Sequence, residues 1–195
     1  MKYTIPEYTQ KILQALNDAG FEAYVVGGAV RDLLLCVPPG DFDVASNARP
    51  EEVSAVCKKE GWHTVDNLGR NFGCVVAVVG GVPTEITTFR SESYGSDAHR
   101  PEEVVYCHTL RGDLSRRDFT VNAMAMDLDG NVYDYHNGRE DLQNRILRTV
   151  GDAQKRYSED ALRMLRACRF VGQLGFDYKQ DSGVLPPFGE ENTPY

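Results

Sequence analysis

The sequence predicts an α/β (α+β) fold, on three observations. Apolar or alternating runs of strand length fall at residues 24–26, 74–79 and 84–89. Amphipathic helical patterns surround them, at 6–19 and 50–60. With 195 residues, 42% of them hydrophobic, the chain can bury one sizeable core.

Pro6 suits the first turn of the first helix. Tyr8, Ile12, Ala15, Leu16 and Ala19 then recur at helical spacing, and Gly20 can cap it. The strand at 24–26 breaks at Gly27-Gly28, a helix-compatible turn carries Arg31 and Asp32, and a second short strand presents Asp41 and Asp43. Residues i and i+2 of a strand share a face, so both carboxylates point one way. Like charges that close repel unless a cation sits between them. Mg²⁺ suits such a pair, because it takes a few carboxylates and fills its shell with water and phosphate oxygens. A lone DxD is most simply a solvated surface pair. The preceding Gly27 and Gly28 shift the reading, since glycines let backbone N–H groups approach a polyphosphate and Arg31 can clamp it with its planar fork.

Residues 50–60 predict a second helix, ending at Gly61. The run at 74–79 turns at Gly80-Gly81 into 84–89, a hairpin that carries Glu85 among threonines and apolar residues. Glu85 is either a third acid beside the pair or an outward-facing surface residue. Residues 90–103, RSESYGSDAHRPEE, predict a long mobile loop. From Leu114, LSRRDFTVNAMAMD predicts a helical segment entered by two arginines. A turn at Asp129-Gly130, a short strand and a helix opening at Gly138 follow.

Ser158 predicts the cap of a last helix. On its wheel Ala161, Leu165 and Cys168 face a core, Asp160, Arg163 and Arg166 face away, and Arg169 sits at the flank. For Asp160 and Arg163 alone, an intrahelical ion pair is the simplest account. Residues 180–195 show no periodicity.

The net charge of −8 is uneven: residues 1–138 carry −8, residues 139–169 carry +3, and the rest −3. An acidic half with the candidate metal site is thus followed by a basic stretch able to meet phosphates. The five cysteines (36, 57, 74, 107 and 168) form no CxxC pair and read as reduced packing residues; Cys107-His108 is structural. With no long apolar run and no signal-peptide core in the first ten residues, a soluble cytoplasmic protein with no membrane partner is expected.

Taken together, GGAVRD with DFD, then TEITTFR, RRDFTVNAMA and EDALRMLRACRF, in that order, resemble the tRNA nucleotidyltransferase/poly(A) polymerase family, of the bacterial class II CCA-adding type. The resemblance spans roughly residues 21–176. It implies a DNA-polymerase-beta-like nucleotidyltransferase head at 1–150, with a mixed sheet flanked by helices, then the start of a helical neck at 151–178 and an irregular tail at 179–195.

By position it implies Asp41 and Asp43 as metal-binding catalytic residues and Glu85 as the third catalytic carboxylate. It gives Gly27, Gly28 and Arg31 to the triphosphate, and Arg117, Asp118 and Asn122 to the nucleotide sugar and phosphate motif. Asp160 and Arg163 would select the base, supported by Arg166 and Arg169. The stretch holding Arg90, Tyr94, Asp97, Arg100 and Pro101 would be the flexible loop for the switch from C to A addition. The implied chemistry uses two Mg²⁺ ions, with CTP, ATP and the tRNA 3′ end as partners.

Carboxylates accept and guanidinium donates, so Asp160 could take the exocyclic amine of cytosine or adenine while Arg163 serves the ring nitrogen. Uracil and guanine place a carbonyl where the amine would be. Such a selector counts against a nucleotidyltransferase for a small molecule or protein. Members of the family usually continue into helical body and tail domains. The alternatives are therefore an A-adding, CC-adding or poly(A) polymerase relative, or a head fragment that binds nucleotide without turnover.

Overall fold

The computed structural model describes residues 3–65, 73–94 and 101–178. Its strands, in chain order, are β1 (Ala23–Val26), β2 (Asp43–Ser46), β3 (His63–Val65), β4 (Cys74–Val79), β5 (Val82–Thr88), β6 (Arg90–Tyr94), β7 (Pro101–Tyr106), β8 (Met124–Met126) and β9 (Val132–Asp134). Seven of them form one mixed sheet in the order β3-β4-β5-β2-β1-β8-β9, in which β2 and β5 run parallel and the other neighbours antiparallel. The short β10 (Ile146–Leu147) and β11 (Asp177–Tyr178) pair in parallel at the periphery.

Helices α1 (Glu7–Asp18) and α3 (Pro50–Lys59) cover one face of the sheet, where Ile12, Leu13, Leu16, Val53 and Cys57 pack on Val25, Val44, Val75 and Ile86. Alternation sends Val26, Ala45 and Ala125 to the other face, where Leu110 and Leu114 of α4 (Leu110–Ser115) and Phe89 cover them. That second face is covered only in part. Asp43 belongs to it, directly across from Val26. Gly80 and Gly81 both hold positive φ (61° and 82°), which makes the tight β4–β5 turn.

Several expectations change. The segment from Leu114 is not one helix: α4 ends at Ser115, a short 3₁₀ turn spans Thr120–Asn122, and β8 follows. Met124, Ala125 and Met126 are buried on both faces between β1 and β9, which a continuous apolar run permits in a strand as well as in a helix. The loop expected at 90–103 instead begins and ends as an antiparallel ribbon of β6 and β7, Arg90 opposite Tyr106. Its tip, with Asp97 and Arg100, lies outside the described residues.

Ser158 caps nothing; it lies inside α6 (Ala153–Glu159), bonded back to the Lys155 carbonyl at 2.7 Å. The chain breaks at Asp160 (φ −152°, ψ 106°), and α7 (Leu162–Leu174) begins beyond it with the Asp160 carboxylate accepting the Leu162 N–H at 2.9 Å. This shift turns α7 on its axis. Arg163, Ala167 and Phe170 face inward, while Leu165 is 68% exposed and Cys168 is exposed.

Candidate active site

At the uncovered part of the second face, β1 ends and the chain turns through Gly27 (φ 72°) into α2 (Gly28–Leu34). A Cβ on Gly27 would lie 3.0 Å from the Arg117 guanidinium, so both the backbone angle and the close approach call for glycine. A cleft of about 710 Å³ opens there. Gly27, Gly28, Arg31, Asp41, Asp43, Arg117, Asp118, Asn122, Asp160, Arg163, Arg166 and Arg169 all line it. Arg90 lines it too, from the first position of the ribbon. Seven arginines and five aspartates share its wall, in a molecule whose net charge is −8.

Asp41 precedes β2 rather than lying in it, with Phe42 turned into the core between the two acids. The β2–β5 register, Val44 opposite Ile86, sets Asp43 beside Glu85 on adjacent strands. Burial pushes the Asp43 carboxyl up to about 6; Asp41 and Glu85 add to the rise, and Arg117 opposes it. Among the described residues no three acid, histidine or cysteine side chains form a group that could hold an ion together. Glu85, exposed with the Cys74 Sγ 3.9 Å from its Oε2, stays outside the cleft wall. The expected pair of acids is assembled; the expected triad is not closed.

Arg31 is 5% exposed and fixed on three sides. It donates to Asn122 Oδ1 at 2.8 Å and to Asp32 Oδ1 at 2.8 Å, and its guanidinium lies over the Phe170 ring at 5.5 Å. Asn122 thus holds the arginine in place. Arg166 donates to Asp118 Oδ2 at 2.7 Å, so those two cleft residues are joined across 48 positions of chain. Arg166 and Arg169 also lie over Phe170, at 5.5 and 5.1 Å. Arg163 is buried and donates to the Arg156 carbonyl at 3.2 Å.

Asp113 escapes sequence reasoning. Fully buried, it pairs with Arg116 at 2.9 Å and Arg117 at 3.2 Å and accepts the Arg90 N–H at 3.3 Å. Burial alone would raise its carboxyl, but Arg116 and Arg117 hold it below the ordinary value. The spacing Asp113-x-x-Arg116-Arg117 was a usable signal, since i, i+3 and i+4 share a helix face. Arg117 Nε is buried with no hydrogen-bond partner among the described residues. A buried donor left open in an arginine-lined cleft fits an incoming anion.

The mixed sheet, with two acids turned toward such a cleft, has the fold of a DNA-polymerase-beta-like head. The chain belongs to the Poly A polymerase head domain family, whose model matches residues 23–148. It is 52% identical over 169 residues to the CCA-adding enzyme of Lactobacillus helveticus, covering 87% of this chain and 41% of that protein. The crystal structure of the Bacillus stearothermophilus CCA-adding enzyme in complex with CTP matches with a TM-score of 0.82 and 45% identity, over 92% of this chain and 42% of that one. The Thermotoga maritima CCA-adding enzyme complexed with tRNA matches with a TM-score of 0.71 and 26% identity, over 91% and 40%. The family read from the four motifs is borne out. The chain spans about two-fifths of the length of these relatives.

Proposed function

We propose that this chain is the catalytic head of a template-independent RNA nucleotidyltransferase that adds C, C and A to tRNA 3′ ends from CTP and ATP. The cleft carries the reading: Asp41 and Asp43 share one wall with the open donor of Arg117, Asp160 and Arg163. The likeness to relatives solved with CTP and with tRNA supports it.

Asp41 and Asp43 fit Mg²⁺, since their crowding is relieved by a cation and Glu85 stands beside Asp43 to support it. When bound, the ion supplies Lewis-acid activation of the RNA 3′-hydroxyl and neutralises charge as pyrophosphate leaves. Arg31, held rigid by Asn122 and Asp32, and Arg117, held by Asp113, present guanidinium donors to phosphate oxygens. Gly27 leaves room for that approach. Asp160 accepts the exocyclic amine of cytosine or adenine and Arg163 donates to the adjacent ring nitrogen. Against uracil or guanine the Asp160 carboxylate faces a carbonyl, at a cost of about 1–3 kcal/mol. The β6–β7 ribbon, with Arg90 at the cleft, is the element for the switch from C to A. This reading places the protein in the cytoplasm; no helix among the described residues is long and apolar enough to cross a membrane.

The test offers the chain a tRNA lacking its 3′ end with labelled CTP and ATP, then sequences the product. Ordered C, C, A is expected, Asp41→Ala should abolish it, and Asp160→Ala should admit UTP. A ladder of A identifies a poly(A) polymerase instead. Because the chain spans only part of its relatives, a second reading is nucleotide binding without turnover. CTP binding with no incorporation would identify that case.

A further inference from the structure

A second hollow of about 420 Å³ adjoins the cleft and shares Arg116 with it. Its wall comes from the end of α4, from His136 just before α5 (Gly138–Gln143), and from the start of α6. Arg156 is fixed there, with Nε donating to the Val150 carbonyl at 2.9 Å and its terminal nitrogen to the Ser115 carbonyl. The Ser115 hydroxyl donates to the Arg111 carbonyl at 2.7 Å, which leaves His136 Nε2, 3.3 Å away, as the donor of that pair. Lys155 stands exposed at the rim. Asp152 contributes the opposing charge, although its Oδ1 is taken up by the Lys155 backbone N–H at 2.7 Å.

Just outside, Tyr135 is 42% exposed and Arg111 lies over its ring at 5.8 Å. A basic hollow continuous with an arginine-lined cleft, in a molecule of net charge −8, is a local reversal of sign. Beside an exposed aromatic face, that combination suits a phosphodiester flanked by an unpaired base.

We propose that this hollow holds a backbone phosphate of the RNA strand whose 3′ end enters the cleft, with Tyr135 as a stacking face for a neighbouring base. The proposal rests on the nucleotidyltransferase reading and adds to it the path of the primer. Arg156 supplies a fixed charge beside Arg116, which is already paired with Asp113, and Lys155 supplies a mobile one.

Binding of the full chain to tRNA lacking its 3′ CCA is measured by fluorescence anisotropy over a salt series, with CTP binding followed by calorimetry in parallel. Lys155→Ala and Tyr135→Ala should each weaken RNA binding, on the order of fivefold, and Lys155→Ala should lower the salt slope by about one. CTP affinity should stay unchanged in both. RNA binding unchanged in both variants overturns the proposal, as does an equal loss of CTP affinity. A wild-type chain that binds CTP but no RNA overturns the RNA path and leaves the nucleotide reading standing. One that binds RNA through Lys155 but no CTP supports the path and overturns the nucleotide reading.

Discussion

Asp43 is the residue at which the fold and the chemistry meet. Val26 flanks it on one strand and Glu85 on the other. Its carboxyl is pushed up to about 6 from an ordinary 3.8, by burial first and then by Asp41 and Glu85. A carboxyl whose folded-state value exceeds its unfolded one favours the fold while protonated. Its contribution is therefore full below pH 3.8 and is lost as pH rises through about 6. A divalent cation between Asp41 and Asp43 works the other way, because it binds the deprotonated pair. Thermal unfolding should thus show a larger Mg²⁺ stabilisation near about pH 7.5 than near about pH 5. Asp43→Asn should erase that difference and flatten the metal-free stability profile across the same interval. Undiminished Mg²⁺ stabilisation in Asp43→Asn would remove this residue from the cation site.

At the scale of elements, α7 shows how far sequence pattern reaches. Its period was legible and its rotation was not. Apolar Leu165 and Cys168 on one side and arginines on the other is an ordinary amphipathic wheel, yet it is Arg163 that turns inward with Ala167 and Phe170, while Leu165, Cys168, Arg166 and Arg169 are exposed. The reason is long-range: Arg166 meets Asp118, and Phe170 packs edge-on against Phe119 at 5.7 Å, between three guanidinium groups. Partners 48 or more positions away leave no trace in a local wheel. The Arg31–Asn122 bond, 91 positions apart, was equally hidden in its geometry, although both residues were named from their motifs. What local chemistry does dictate was legible: the glycine break before α2, the paired acids around Phe42 and the Gly80-Gly81 turn. The rotation of α7 makes a sharp prediction for chemical denaturation. Leu165→Ser should change stability by no more than about 0.5 kcal/mol. Phe170→Ala should cost about 3–5 kcal/mol. The reverse order would restore the wheel read from sequence.

For the whole molecule, the question is whether the expected head at 1–150 stands without α6 and α7. Ala167, Phe170 and Phe176 belong to the same buried cluster as Val25, Val44, Ile86 and Phe119. The same helix brings Arg163, Arg166 and Arg169 to the cleft that Asp41 and Asp43 line. Core and site therefore both close only when α7 returns to the sheet. A chain ending at residue 150 would uncover Phe119 and lose two buried phenylalanines, a deficit on the order of 5 kcal/mol. For a protein of this size that corresponds to a fall in unfolding temperature of about 10–20 °C. Differential scanning calorimetry of the 1–150 chain against the full chain would measure it, with CTP titration alongside. The short chain should also lose base discrimination, since Asp160 and Arg163 leave with α6 and α7. If 1–150 unfolds at the temperature of the full chain, the helical segment is an appendage and the sheet carries its own core.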